Sequence, residues 1–155
     1  MHIKNNKIFV DGDGCPVTSE ILSSATAYDI NVVFVSSYAH SRKKAFPPNV
    51  KEVVTDPDRE AVDMVISNQV APGDIVVTQD LGLAGLLLAK QVTVLTPRGT
   101  RVSDLEIDFL LDRRHADAKR RRAGKKTKGP KKMLKEDREF FQVELEKILS
   151  DRQEI

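Results

Sequence analysis

Five short apolar runs recur along the chain: IFV (8–10), NVVFVS (31–36), KEVVT (51–55), DIVVTQD (74–80) and QVTVLT (91–96). They are too short for helices and too uniformly apolar for half-exposed strands, so they read as buried strands. Most of the intervening stretches carry helical spacing. Strands buried on both faces and joined through helices form a parallel sheet covered on each side, so the predicted fold is α/β.

The first run ends in VDGDGCP, with Asp11 at the mouth of the strand and Asp13 two residues beyond. Pro16 has a fixed φ and no N–H to lose, which suits the first turn of a following helix, with Cys15 or Gly14 near its cap. In an open α/β sheet, ligands bind beyond the carboxyl ends of the strands, and this turn lies there. Two carboxylates so close repel each other unless protonated, paired or bound to a cation.

The remaining helices place further acids at the same edge. A helix over 58–70, with Asp58 as N-cap or first-turn carboxylate, puts Val62, Val65, Ile66 and Val70 on one face and Asp63 at its border. Asp80 closes the fourth strand, and LGLAGLLLAK after it reads as a helix buried on most sides. VSDLEIDFLLDRR follows the TPRG turn as an amphipathic helix capped by Ser103. EDREFFQVELEKIL restores helical spacing near the end, so a helix over 134–150 is expected to dock on the body through Phe140 or Phe141, Val143, Leu145, Ile148 and Leu149.

The formal net charge of +2 conceals a strong asymmetry. Residues 1–112 carry a net −5, residues 113–135 a net +11 and residues 136–155 a net −4. An acidic body with one dense basic segment points to a polyanionic partner. Like charges, Gly124, Gly129 and Pro130 make 113–132 a poor helix over its second half, so a mobile or ligand-ordered segment is expected there. The 155 residues otherwise suit a single domain. No apolar run reaches the ~18–20 residues that cross a bilayer, and the stretch MHIKNNKIFVDGDG has no apolar run long enough to be read as a secretory signal. One cysteine cannot form an internal disulfide. The expected location is the cytoplasm, without membrane partners.

Asp11, Asp63 and Asp80, with Asp13 assisting, thus reach one sheet edge from separate segments. Mg²⁺ or Mn²⁺ takes such all-oxygen donor sets and keeps waters for a substrate phosphate. A metal so held polarises a phosphodiester and steadies its leaving oxygen, so hydrolysis of nucleic acid is the expected chemistry. Arg42, Lys43 and Lys44 in the loop after the second strand, Arg98 in TPRG, and Arg120, Arg121, Arg122, Lys125 and Lys126 in the basic tract are candidates for holding the phosphate backbone. Few aromatics lie among them, so base stacking is not indicated.

VDGDGCP, DREAVDMVI, PGDIVVTQDLGLA, TPRG, KGPKK and EDREFF together resemble the YaiI/YqxD family of uncharacterised bacterial proteins over nearly the whole chain. That family is in turn similar, more distantly, to PIN-like and NYN nuclease domains. The resemblance implies a three-layer α/β/α sandwich, PIN-like, with a central parallel sheet in the order 3-2-1-4-5 and an acidic metal pocket. It implies that Asp11 is the acid closing the first strand, Asp63 the helix acid and Asp80 the later strand-end acid, with Asp13 matching less closely, and that the substrate is RNA. The nuclease groups usually carry a further acid after the equivalent of Asp80, and LGLAGLLLAK has none. A non-catalytic RNA-binding or ribosome-associated module with a residual metal pocket is the alternative.

Other chemistries fit less well. VDGDG resembles the DxDG turn of haloacid-dehalogenase-type phosphatases, but no acid follows Asp80 until Asp104. A calcium loop needs a glycine and a glutamate where Pro16 and Leu22 stand. Cys15 has no assigned His or Asn partner, and neighbouring carboxylates disfavour its thiolate, so a packing role under the helix start is preferred. His40 and His115 lack metal-ligand spacing. Asp11 and Asp13 taken singly would be helix caps, and Asp63 alone an ion pair with Arg59. Asp56 and Asp58 read as capping residues and Asp74 as a turn residue at the opposite edge. Thr78 and Arg98 either meet substrate or satisfy backbone groups in their turns.

Overall fold

The computed structural model of the protein describes residues 6–37, 46–57, 59–124 and 132–153. Six strands, β1 (Lys7–Asp11), β2 (Asn31–Ser37), β3 (Val50–Thr55), β4 (Ile75–Val77), β5 (Thr93–Leu95) and β6 (Arg101–Val102), form one sheet in the order β3-β2-β1-β4-β5-β6. All neighbours pair in parallel except β5 and β6. Five helices complete the fold: α1 (Thr18–Ala27), α2 (Arg59–Gln69), α3 (Leu81–Leu88), α4 (Asp104–Arg122) and α5 (Lys135–Gln153). The parallel order 3-2-1-4-5 is as expected, and β6 is an addition. It was hidden because TPRG reads as a turn leading straight to a helix, whereas Thr96 N–H bonds to the Thr100 carbonyl and folds the chain back beside β5.

The period of two along each strand divides the core. Ile8, Val10, Val32, Phe34, Ile75 and Val77 face one layer, where they meet Ile21 and Ala25 of α1 and Phe141, Leu145, Ile148 and Leu149 of α5. Phe9, Val33, Val35, Val76 and Val94 face the other, against Val62 and Ile66 of α2, Leu83, Ala84 and Leu87 of α3 and Ile107 of α4. Continuation of this alternation fixes where the strand-end acids point: Asp11 follows Val10 and lies on the face of Phe9, toward α2 and α3.

Several local expectations change. The first helix begins at Thr18 with Val17 as N-cap and no capping side chain, so Pro16 belongs to the preceding turn rather than the helix. Helix α3 is buried on one side only, with Leu86 60% exposed, because its outer face meets no further layer. On α5, Phe141 takes the buried position while Phe140 and Val143 stay exposed. Ser103 is the N-cap of α4 but makes no side-chain cap bond. That helix continues through the first half of the basic tract to Arg122, and Gly124 then takes φ +80°. The expectation for Asp58 falls outside the described residues.

Helix α5 is held to the body by polar contacts as well as burial. Arg138 bonds to the Pro16 carbonyl and faces Glu20 at 3.8 Å, and Ser24 of α1 donates to Glu146 at 2.9 Å while accepting from Gln142 at 3.2 Å. At the opposite sheet edge, Asp74 accepts from Lys7 N and Ala71 N, and Arg152 bonds to the Gly73 carbonyl. Asp74 is a turn organiser at the edge remote from Asp11.

Candidate acidic site

The chain leaves β1 toward β2 and β3 on one side and returns to β4 and β5 on the other, so the order of connection reverses between β1 and β4. A crevice opens beyond the carboxyl ends of adjacent strands at such a reversal. Asp11 ends β1 there. Val10 is in register with Val77, which sets Thr78 beside Asp11 on the same face.

Thr78 is 3% exposed, and its hydroxyl has two duties: it donates to Asp11 Oδ2 at 2.9 Å and accepts from Asp80 N–H at 3.0 Å. One buried side chain therefore fixes the first acid and the backbone of the third. Asp80 is the N-cap of α3, and its Oδ1 accepts from Leu83 N–H at 3.1 Å, satisfying an otherwise orphan donor of the first turn. Gly82 fits this cap, since a Cβ there would come within 3.3 Å of Asp80 Oδ1.

Asp13 sits in the turn after β1, where its Oδ1 accepts from Ser37 N–H at 2.9 Å. Gly12 lets the chain enter that turn: its N–H bonds to the Val35 carbonyl at 2.7 Å, and a Cβ would lie 2.4 Å from the Phe34 ring. The turn is thereby pressed onto β2.

Asp63, in the second turn of α2, reaches the same crevice. Its carboxyl is pushed up to about 7, first by burial, then by the charges of Asp80 and Asp11, a hydrogen bond with Asp80 and the charge of Glu60. A carboxyl–carboxyl hydrogen bond requires a proton, and Asp63, the carboxyl pushed up, is its donor. Asp11 is raised chiefly by burial and further by Asp13 and Asp80, against the lowering effect of the Thr78 bond. The structure thus brings Asp11, Asp63 and Asp80 into one electrostatic group, with Asp13 alongside.

An all-oxygen group that retains a proton has the donor chemistry of a hard-cation site. Among the described residues, however, no three His, Cys, Asp or Glu side chains are grouped so as to hold an ion as they stand. Binding one requires Asp63 to exchange its proton for the cation.

Burial raises the Cys15 thiol above its ordinary value, consistent with a packing role. Arg98 lies in the turn between β5 and β6, where it pairs with Asp137 of α5 at 3.4 Å. Arg120, Arg121 and Arg122 are exposed at the end of α4. Arg42, Lys43, Lys44, Lys125 and Lys126, with His40, lie outside the described residues. Thr78 is the organising residue that sequence reasoning left undecided. Its signal was its place two residues before Asp80, but the register with Asp11 that gives it meaning is a long-range fact.

The class that fold and site define is an α/β protein with a mostly parallel sheet and an acidic group at its strand reversal. Comparison narrows it: the family model described as "Uncharacterized BCR, YaiI/YqxD family" matches residues 9–151, and the chain belongs to that family. It is 51% identical over 146 residues to the UPF0178 protein of Halalkalibacterium halodurans, covering 94% of this chain and 92% of that one. The UPF0178 protein of Bacillus pumilus is 49% identical over 152 residues, covering 98% and 91%. Among solved structures, Rae1 (YacP) from Bacillus subtilis superposes with a TM-score of 0.48 at 14% identity, covering 77% of this chain and 84% of that one. No helix among the described residues is long and apolar enough to cross a membrane.

Proposed function

We propose that this protein is a cytoplasmic, divalent-metal-dependent nuclease that hydrolyses RNA phosphodiester bonds, with Asp11, Asp63 and Asp80 holding Mg²⁺ or Mn²⁺ and Asp13 assisting. The observation that carries this reading is the convergence of Asp11, Asp63 and Asp80 from β1, α2 and the α3 cap at the strand reversal, where burial and the charges of Asp80 and Asp11 push the Asp63 carboxyl up to about 7. Negative potential that strong, at a strand reversal, is what a hard cation satisfies. Bound there, the ion would polarise the phosphodiester and stabilise its leaving oxygen. The protein's own part is orientation: Thr78 fixes Asp11, the α3 cap fixes Asp80, and Ser37 N–H fixes Asp13. Basic residues hold the RNA backbone, with Arg98, Arg120, Arg121 and Arg122 the described members of that set.

A second reading, an RNA-binding or ribosome-associated module without turnover, is favoured by two features. No acid follows Asp80 within α3, and one Asp80 oxygen already caps that helix. Incubating the protein with labelled RNA carrying a stem and unpaired flanks, with Mn²⁺ or with chelator, separates the two. Metal-dependent cleavage that disappears in Asp11→Asn supports the nuclease. Tight, salt-sensitive binding without cleavage overturns it in favour of the module.

A further inference from the structure

The turn between β1 and α1, residues 12–17, begins at the acidic site and shapes it. Its Asp13 N–H bonds to the Asp11 carboxyl, and Asp13 Oδ1 accepts from Ser37 N–H at 2.9 Å. Toward β2 the turn is held firmly, by that bond and by Gly12 N–H on the Val35 carbonyl at 2.7 Å. Toward α1 its own bonds are weak. Cys15 N–H reaches the Gly12 carbonyl at 3.5 Å and Thr18 Oγ1 the Cys15 carbonyl at 3.4 Å, both at the limit of hydrogen bonding. Gly14 is exposed with φ +75°, and Val17 caps α1 without a side-chain bond.

The missing restraint comes from the other face of the sheet. Arg138 of α5 donates to the Pro16 carbonyl, and its guanidinium faces Glu20 in the first turn of α1 at 3.8 Å, so one side chain spans the end of the turn and the start of the helix. A charged donor makes a stronger bond than a neutral one, and the planar guanidinium fixes its direction. Arg138 is itself held in place. Its neighbour Asp137 pairs with Arg98 at 3.4 Å and accepts from Leu134 N–H at 2.9 Å. Phe141 is fully buried, and Phe140 lies over Gly99, where a Cβ would come within 2.7 Å of its ring. Residues 137–141 thus join the turn after β5 to the turn after β1, at the carboxyl edge that bears the acids.

We propose that Arg138 is a positioning residue of the acidic site: by fixing the β1–α1 turn from the α5 side, it keeps Asp11 and Asp13 set for a divalent cation. This rests on the reading of the acids as a cation site, and adds that α5 helps set its affinity.

The test uses the full chain with Mn²⁺ alone as probe, comparing Arg138→Met, Arg138→Lys and Gln142→Met. Methionine keeps the stem and the helix propensity and has no donor; lysine returns a donor. Gln142→Met removes a bond of α5 to Ser24, 3.2 Å long and away from the turn, and so controls for loosened docking of α5. Calorimetry should show Mn²⁺ affinity lowered about tenfold in Arg138→Met, as expected for loss of a group that orients a metal ligand, and largely restored in Arg138→Lys. The sign discriminates, because removing a positive charge would by Coulomb attraction alone tighten Mn²⁺ binding. Hydrogen exchange by NMR should show Ser37 N–H, which reports the seat of Asp13, exchanging faster relative to Val10 N–H in Arg138→Met and not in Gln142→Met. Unchanged or tighter Mn²⁺ binding in Arg138→Met, or equal effects of Arg138→Met and Gln142→Met on both readouts, would overturn the proposal and leave Arg138 an anchor of α5. Wild-type protein that binds no Mn²⁺ would remove the cation reading and the role in affinity with it, while Ser37 exchange would still decide whether Arg138 holds the turn.

Discussion

Replacing Asp63 by asparagine should make the protein more stable at alkaline pH and, on the proposed function, abolish Mn²⁺ binding. In the unfolded chain this carboxyl titrates near its ordinary 3.8, and in the folded protein near 7. Between those values the folded state holds a proton the unfolded state has lost, so this group's contribution is full below about pH 4 and declines as pH rises to about 7. The whole interval would amount to about 4 kcal/mol. Asp63 is only half-buried, so solvent screening reduces this to about 1–2 kcal/mol. Asparagine has nearly the same shape, keeps a hydrogen-bond donor for Asp80 and cannot ionise. Urea unfolding at pH 4.5 and pH 8 is the assay: Asp63→Asn should match wild type at the lower pH and exceed it by about 1–2 kcal/mol at the higher. Mn²⁺ at about tenfold its dissociation constant should add about 1.4 kcal/mol to wild type at pH 8 and nothing to the variant. An Asp63→Asn protein that loses stability with pH as wild type does, or is the weaker of the two at pH 8, would refute the raised Asp63 carboxyl.

Thr78→Val removes the bond to Asp11 and leaves Asp80 N–H without its hydroxyl acceptor, at a cost of about 2–3 kcal/mol; carboxyl titration by NMR should show Asp11 rising further, because the Thr78 bond lowers it. Gly12→Ala drives a methyl into the Phe34 ring and should cost about 1–3 kcal/mol in denaturant unfolding, with the larger effect expected on the Asp13 turn. Asp74→Ala leaves two backbone donors of a buried turn unpaired and should cost about 2–4 kcal/mol, with no effect on Mn²⁺ binding measured by calorimetry. Phe141→Ala empties a fully buried position between α5 and the sheet and should cost about 3–5 kcal/mol by the same unfolding measurement.

The strand pattern and the placement of the acids were legible because both follow from local rules. Uniform β-branched runs identify buried strands, and a strand–turn–helix unit sends the residue after the strand to the carboxyl edge. That placed Asp11 and Asp80, and helical periodicity placed Asp63 at the border of its apolar face. The parallel order itself came through the family resemblance, not from the strands. What stayed hidden depends on contacts far apart in sequence. The Thr78–Asp11 bond needs the β1–β4 register. Strand β6 has two residues and exists because β5 is beside it. The start of α1 was misplaced because Pro16 is compatible with a first helical turn, while the bond from Gly12 to β2 keeps the chain in a turn until Val17.

The two faces of the sheet divide the work. Asp11, Thr78, Asp63 and Asp80 belong to the α2 and α3 side, whereas α5 closes the other side against α1 and spends its polar residues on Glu20 and Ser24. Contact between the two sides runs through the strands, whose buried residues are packed on both faces and cannot shift singly. Substitutions in α5 should therefore lower stability without altering the titration of Asp63, and substitutions among the acids around it should alter that titration while relieving repulsion. A site that costs the fold stability, held in place by elements that contribute it, is the arrangement expected where like charges are gathered to bind something of opposite sign.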